Sequence, residues 1–311
     1  MALYTAYGSY TGDGADSRNI TASPSFAIKF VYIDRSDAVA GADGAAYGSI
    51  SGMGDLAFRG ADNNSPVANY IQSMGTGTFQ VGSAAGTNNS GTTYYWFALG
   101  GDDTEIKVGT YTGNATDNRG ITGVGFAPEL LIIKGADNGY ANMRFGTTGD
   151  SSQFFGDVAN IANYIQSLDA DGFTVGTGNS INNNTITYYY VAVKAVSGQT
   201  KVGTYTGNAT DPQAITGVGF LPELVWVKAN SASYQLQWTN TGRSDDTSDT
   251  AINAANYADG IQTLGSDGFS VGAAARVNNN TTPYYYYAIK SASTTAVKTP
   301  TGSLALMGCG M

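Results

Sequence analysis

Apolar residues in this chain come in short runs of four to eight, bounded by clusters of Gly, Asn, Asp, Ser and Thr. That spacing predicts many short β-strands joined by tight turns. Leu130-Leu131-Ile132-Ile133 is apolar at every position, so its strand should be covered on both faces. In Tyr188-Tyr189-Tyr190 and Tyr284 to Tyr287, alternate side chains must face opposite ways. One set should fill a core, and the other should lie at a surface or an interface, since Tyr suits a half-wet setting. Asn163 to Leu168, an Asp/Gly turn, and Phe173-Thr174-Val175 read as a hairpin. Asp157 to Ile165 is ambiguous, because Val158, Ile161 and Ile165 also fit one face of a short helix. The stretch between Asp34 and Asp55 is rich in Gly and Ala and reads as a long loop.

The pattern repeats. Val108 to Lys134, VGTYTGNATDNRGITGVGFAPELLIIK, returns as Val202 to Lys228 at an offset of 94 residues with nothing inserted or lost. A weaker copy opens the chain at Tyr7 to Gly14 and Phe26 to Ile33. Later the offset becomes 96, placing a two-residue insertion in a loop between Lys228 and Gly260. The chain therefore divides into units at 1–103, 104–197 and 198–293, with a tail at 294–311 that matches no part of the unit. The fold class expected is all-β, three tandem antiparallel β-sandwich (jelly-roll) units. Complete repetition suggests that each unit folds by itself, and the short joins predict a stiff rod or a compact triad.

Composition narrows the function. The chain has 311 residues and a formal charge of −9, and its cationic residues form no run, which argues against nucleic acid. It has no His and one Cys, Cys309, so there is no disulfide framework or thiolate cluster, and the commonest general base and metal ligand are missing. No apolar run could span a bilayer and no secretory signal is readable, so neither a membrane nor export is expected.

Two blocks carry a family resemblance: Val-Gly-Thr-Tyr-Thr-Gly-Asn with Ile-Thr-Gly-Val-Gly-Phe-Leu-Pro-Glu-Leu-Val-Trp-Val-Lys, and Asp-Gly-Phe-Ser-Val-Gly with the Asn-rich turn and Tyr-Tyr-Tyr-Tyr-Ala-Ile-Lys. They resemble the concanavalin-like β-sandwich domains of tailed-bacteriophage virion proteins, over nearly all of the second and third units and more loosely the first. In the first, Ile20-Thr21-Ala22-Ser23-Pro24 replaces the Gly-Val-Gly turn. The resemblance implies a non-enzymatic structural protein of the virion, assembled in the host cytoplasm among other virion proteins and as a homo-oligomer. A tail or fibre role would add binding of a host-surface glycan or protein; the alternative is a capsid or collar decoration protein. Some glycosidases share the fold, so a polysaccharide-degrading enzyme is the third reading.

The residues weigh against that third reading. Glycosidases need two carboxylates across a cleft, whereas Glu105, Glu129 and Glu223 are the only glutamates, and the last two recur at equivalent strand entrances. Asp169 and Asp171 fall in the hairpin turn, where Asp bonds locally. No catalytic, metal or cofactor residue is assigned. Gly123-Val124-Gly125 and Gly217-Val218-Gly219 precede strands, so they read as tight turns and not as a dinucleotide loop. Asn114-Ala115-Thr116 and the Asn-rich turns match glycosylation sequons, but their recurrence at equivalent places fits turn chemistry. Candidate partner-binding residues are few. Trp226 belongs to the core by its neighbours; Trp238 with Tyr234 could offer a sugar-stacking platform. Asp245, Asp246 and Asp249 form the densest acidic patch, read as a solvated loop before a Ca²⁺ site. In the tail, Leu304, Leu306 and Met307 lie in an uncharged segment suited to adding to the edge of a neighbouring sheet, with a frayed end as the plain alternative.

Overall fold

The computed structural model describes residues 2–37, 46–60, 62–146, 149–234, 236–243, 247–250 and 257–292. The first unit contributes β1 (Leu3–Thr11), β2 (Arg18–Thr21), β3 (Ile28–Arg35), β4 (Tyr47–Ile50), β5 (Leu56–Arg59), β6 (Val67–Ala68), β7 (Ile71–Met74), β8 (Thr78–Val81) and β9 (Thr93–Gly101). The second contributes β10 (Ile106–Thr112), β11 (Arg119–Thr122), β12 (Pro128–Gly135), β13 (Asn142–Phe145), β14 (Gln153–Phe154), β15 (Ile165–Asp169), β16 (Gly172–Val175) and β17 (Thr187–Lys194). The third contributes β18 (Thr200–Thr206), β19 (Gln213–Thr216), β20 (Leu224–Ala229), β21 (Gln237–Asn240), β22 (Thr247–Thr250), β23 (Tyr257–Ala258), β24 (Ile261–Gly265), β25 (Gly268–Val271) and β26 (Pro283–Ile289). One-turn helices α1 (Ala85–Asn88), α2 (Asn179–Asn182) and α3 (Ala275–Asn278) precede the last strand of each unit.

The topology repeats three times, with one edge strand fewer in the second unit's large sheet. A large antiparallel sheet, β1-β9-β3-β4-β5-β6, β10-β17-β12-β13-β14 or β18-β26-β20-β21-β22-β23, faces a small one, β2-β8-β7, β11-β16-β15 or β19-β25-β24. Each sandwich has its own core, built in the second unit from Leu131, Ile133, Phe173, Val175, Tyr188 and Tyr190. The all-β architecture expected from the strand pattern is what the chain adopts.

The other face of each large sheet is also buried. Phe30, Tyr32, Phe97 and Leu99 of the first unit, Leu130, Ile132, Phe145 and Val193 of the second, and Leu224, Trp226, Trp238 and Tyr287 of the third pack into one shared cluster. Three sandwiches thus stand around a common core with their small sheets outward. Strand β12 shows the division: odd positions point into its own sandwich and even ones into the shared core. The middle tyrosines Tyr95, Tyr189 and Tyr285 pack half-buried against the shared core, which makes that face of the tyrosine strands an interface between units.

This shared core bears directly on the expectation that each unit folds alone. The second unit places Leu130, Ile132, Met143, Phe145, Val191 and Val193 in the shared core, all fully buried. At roughly 1.5–3 kcal/mol per side chain, covering those six is worth up to about 10–20 kcal/mol, comparable to the whole stability of a typical domain. Each unit is a compact sandwich that also contributes to a core shared with the other two.

Two local expectations also change. Asp157 to Ile165 forms no helix; Ile161 bridges Ser152 in extended conformation and β15 follows. The stretch after Asp34 contains a buried strand, β4, hidden by its glycine. Gly48 is needed there, since a Cβ would sit 2.5 Å from the Phe58 ring and 2.9 Å from Tyr32. Residues 38–45 of that stretch lie outside the described residues.

Candidate functional site

The residues singled out for partner binding do not converge. Trp238 is fully buried, its ring 4.9 Å edge-on from Phe97 of the first unit. This corrects its reading as a stacking platform: it pairs with Trp226 across β20 and β21, and both rings join the shared core. Tyr234 is half-buried against its own sandwich core, and its carbonyl accepts a 2.6 Å bond from Lys228 Nζ. Asp245, Asp246, Leu304, Leu306 and Met307 lie outside the described residues. Asp249 is no solvated loop residue: it is fully buried and 2.5 Å from Arg243. Among the described residues, no three His, Cys, Asp or Glu side chains gather as a metal centre requires.

The repeated motifs serve the fold. Asn182 is fully buried; its Oδ1 accepts from Asn114 N at 3.0 Å and Arg119 Nη1 at 3.1 Å, and its Nδ2 donates to Thr116 O at 2.8 Å and Gly176 O at 3.0 Å. Asn88 and Asn278 bind equivalent turns. The hydroxyl of Tyr188 accepts from Asn183 N and donates to Asn179 O, tying the helical turn α2 to β17. In the Gly-Val-Gly turn, Gly123 and Gly125 adopt φ of +87° and +89°, which L side chains resist. Their amides donate to the Asp171 carboxylate at 3.2 and 2.6 Å, and Asp267 does the same for Gly217 and Gly219.

The informative chemistry lies at the seams between units, which run head to tail and close into a ring. A glutamate stands at the start of β12 (Glu129) and just before β20 (Glu223). Glu223 Oε2 accepts from Thr5 Oγ1 of the first unit at 2.9 Å and from Ser291 N at 3.0 Å. Glu129 stands beside Thr200 and Val202 of the third unit in the same way, and burial raises its pKa. In the first unit the equivalent residue is Lys29, which bonds Asp103 Oδ1 in the join (2.5 Å) and reaches the second unit at Ile106 O (2.6 Å).

A second position in the same strands carries buried charge. Lys134 is fully buried, donating to the carbonyls of Asp137 (3.0 Å) and Gly139 (2.5 Å), and Asp62 of the first unit lies near it. Lys228 is fully buried too, and one of its carbonyl partners is Val158 of the second unit at 3.2 Å. Desolvation pulls both ammonium groups down to about 8. The equivalent residue in the first unit is Asp34, 1% exposed, beside Asp249 and Arg243 of the third unit. Burial, then the Asp249 charge, holds its carboxyl well above the usual range, against the pull of Arg243 and the amides of Thr250 and Arg35. Arg243 also stacks over Tyr95 of the first unit at 3.9 Å. Sequence reasoning missed this cluster, although a signal was present: Asp34 stands where both other copies have Lys.

Residues 195–306 match a family model described as a domain of unknown function (DUF7483). The matched span takes in the third unit. No curated protein matches the chain.

Proposed function

We propose that this protein is a non-enzymatic structural component of a bacteriophage virion, associated with the tail or fibre and presented to the host surface. The virion assignment rests on the motif resemblance. The structural observation that supports it is where the reactive side chains are spent. Glu223 and Glu129 tie units together, Asp171 and Asp267 cap turns, and Lys134, Lys228 and Asp249 are buried in seams. Catalysis needs a perturbed acid or base facing a substrate cleft; here Asp34, Lys134 and Lys228, whose pKa values burial shifts, lie in the interior. A rigid block with a shared core and three outward small sheets suits display of surfaces on a particle.

The test is location and adsorption. Antibody raised against the folded protein should label the tail region of purified particles in electron micrographs, and particles lacking the protein should adsorb to host cells less well. Label over the capsid or collar, with adsorption unchanged, moves the protein to a decoration role. Absence of label from intact and disrupted particles overturns the virion reading.

A further inference from the structure

The ring has three equivalent seams, and the one between the third and first units departs from the other two. There the end of the third unit meets the start of the first, Ala292 N donating to Leu3 O at 2.8 Å. Beside this contact a cleft of about 390 Å³ opens, within the size range of small-ligand sites. Two substitutions relative to both other seams, and one position that differs at every seam, shape it. Tyr7 stands where the other units have Val108 and Val202, Ser23-Pro24 replaces the Gly-Val-Gly turn, and Ala292 stands where the earlier joins have Asp102 and Val196.

The lining is chemically mixed in a specific way. Tyr7 and Pro24 are the ring-bearing residues of the lining, while Ser23, Glu223 and Lys290 carry its polar side chains. Glu223 commits only Oε2 to Thr5 and Ser291, and Oε1 accepts no bond from a described residue. Neither the Ser23 hydroxyl nor the Lys290 ammonium bonds a described side chain or backbone group. An acceptor, a donor and a hydroxyl thus line the same cleft as Tyr7 and Pro24. A pyranose offers the matching surface, with hydroxyls along its edge and C–H groups on its face. The opposite charges of Glu223 and Lys290 leave the cleft near neutral, which favours an uncharged sugar over an acidic one.

We infer that this cleft is a binding subsite for an uncharged hexose-type sugar residue. The inference rests on the host-surface reading above and names the ligand class for it. Closing the unlinked seam explains the Tyr7 bond to Thr241, but it does not require Ser23, Lys290 and Glu223 Oε1 to be left uncommitted around one opening.

The test uses the full chain and the methyl glycosides of glucose, galactose, mannose and N-acetylglucosamine, followed by ligand-observed NMR. At least one should bind with a Kd of about 1 mM or tighter. Tyr7→Val, which restores the residue of the other two units, and Lys290→Ala should each weaken that binding about tenfold or more while the circular dichroism spectrum stays unchanged. Binding of none of the four, or binding untouched by both substitutions, overturns the subsite. Binding that appears only after residues 294–311 are deleted also overturns it, since the chain's own tail would then be the occupant. A protein that adsorbs to host cells but binds no glycoside loses the subsite and keeps the host-surface reading. One that binds through the cleft yet adsorbs to no cell keeps the subsite and loses that reading.

Discussion

Two kinds of seam hold the same ring together. The seams from first to second and second to third unit are crossed by the chain, through 101–105 and 195–199, so those units are held at high effective concentration. Each buries one lysine in a cage of backbone carbonyls. The seam from third to first has no covalent link across it. It carries instead two carboxylates and a guanidinium out of water, with Arg243 and Asp249 at 3% and 0% side-chain exposure. A buried ion pair is weak evidence for net stability, because desolvation offsets the Coulomb gain. Its value is selectivity: a Lys-bearing unit placed against Arg243 would meet like charge in a dry site. The unlinked seam is thus the one where chemistry, and not connectivity, decides which units meet.

The largest expected effect comes from removing seams altogether. Residues 104–197 expressed alone would expose Leu130, Ile132, Met143, Phe145, Val191 and Val193, and should give no cooperative unfolding transition in urea. The full chain should unfold in one transition; three separate transitions would show that the shared core contributes little.

Next is the unlinked seam itself. Arg243→Ala leaves Asp249 and Asp34 buried without their counter-charge and should cost about 3–5 kcal/mol by chemical denaturation. The exposed pair Lys107–Asp103 at the first seam, 2.7 Å apart, should cost under about 1 kcal/mol when Lys107 becomes Ala. Equal losses would erase the distinction between the seams.

The pH dependence should separate them by sign. The folded-state pKa of Lys134 and Lys228 is depressed to about 8. Between there and the ordinary lysine value, the unfolded chain holds protons that the native state has lost, so stability rises with pH across that window. The gain should be on the order of 1–3 kcal/mol for each lysine, and Lys228→Met should remove its share. Asp34 is raised, so its contribution runs the other way: stability falls as pH climbs above the usual carboxylate range. Asp34→Asn should flatten that slope. Urea midpoints measured from pH 4 to 10 would read both, and a single monotonic slope in all variants would refute the assignment.

The smallest effect should come from moving the gap. Joining Ala292 to Leu3 by a short linker and opening the chain at 102–104 keeps the buried seam contacts and disturbs the bonds of Asp102 to Ala2 and of Asp103 to Lys29 and Lys107. Stability should change by no more than about 1–2 kcal/mol, measured by urea unfolding. Failure to fold would mean that the linked seams depend on their links.

Much of this was legible in the residues. The 94-residue repeat, the turns at Gly123 and Gly217, and the Asn-Tyr punctuation are local, since each motif satisfies its own backbone within one unit, and local chemistry leaves a local signature. The apolar run Leu130 to Ile133 even announced a strand covered on both faces. A linear pattern cannot say what covers the second face. Trp238 read as open because its partner, Phe97, lies 141 positions away in another unit. The Asp34–Arg243–Asp249 cluster needed the ring to close before its members became neighbours. The chain by itself determined the sandwich and its three copies, because strand period and turn chemistry act over a few residues. Only the tertiary structure decided that the copies share one core and close on themselves, because burial of the outer faces and the pairing of distant charges depend on distances through space that sequence separation does not encode.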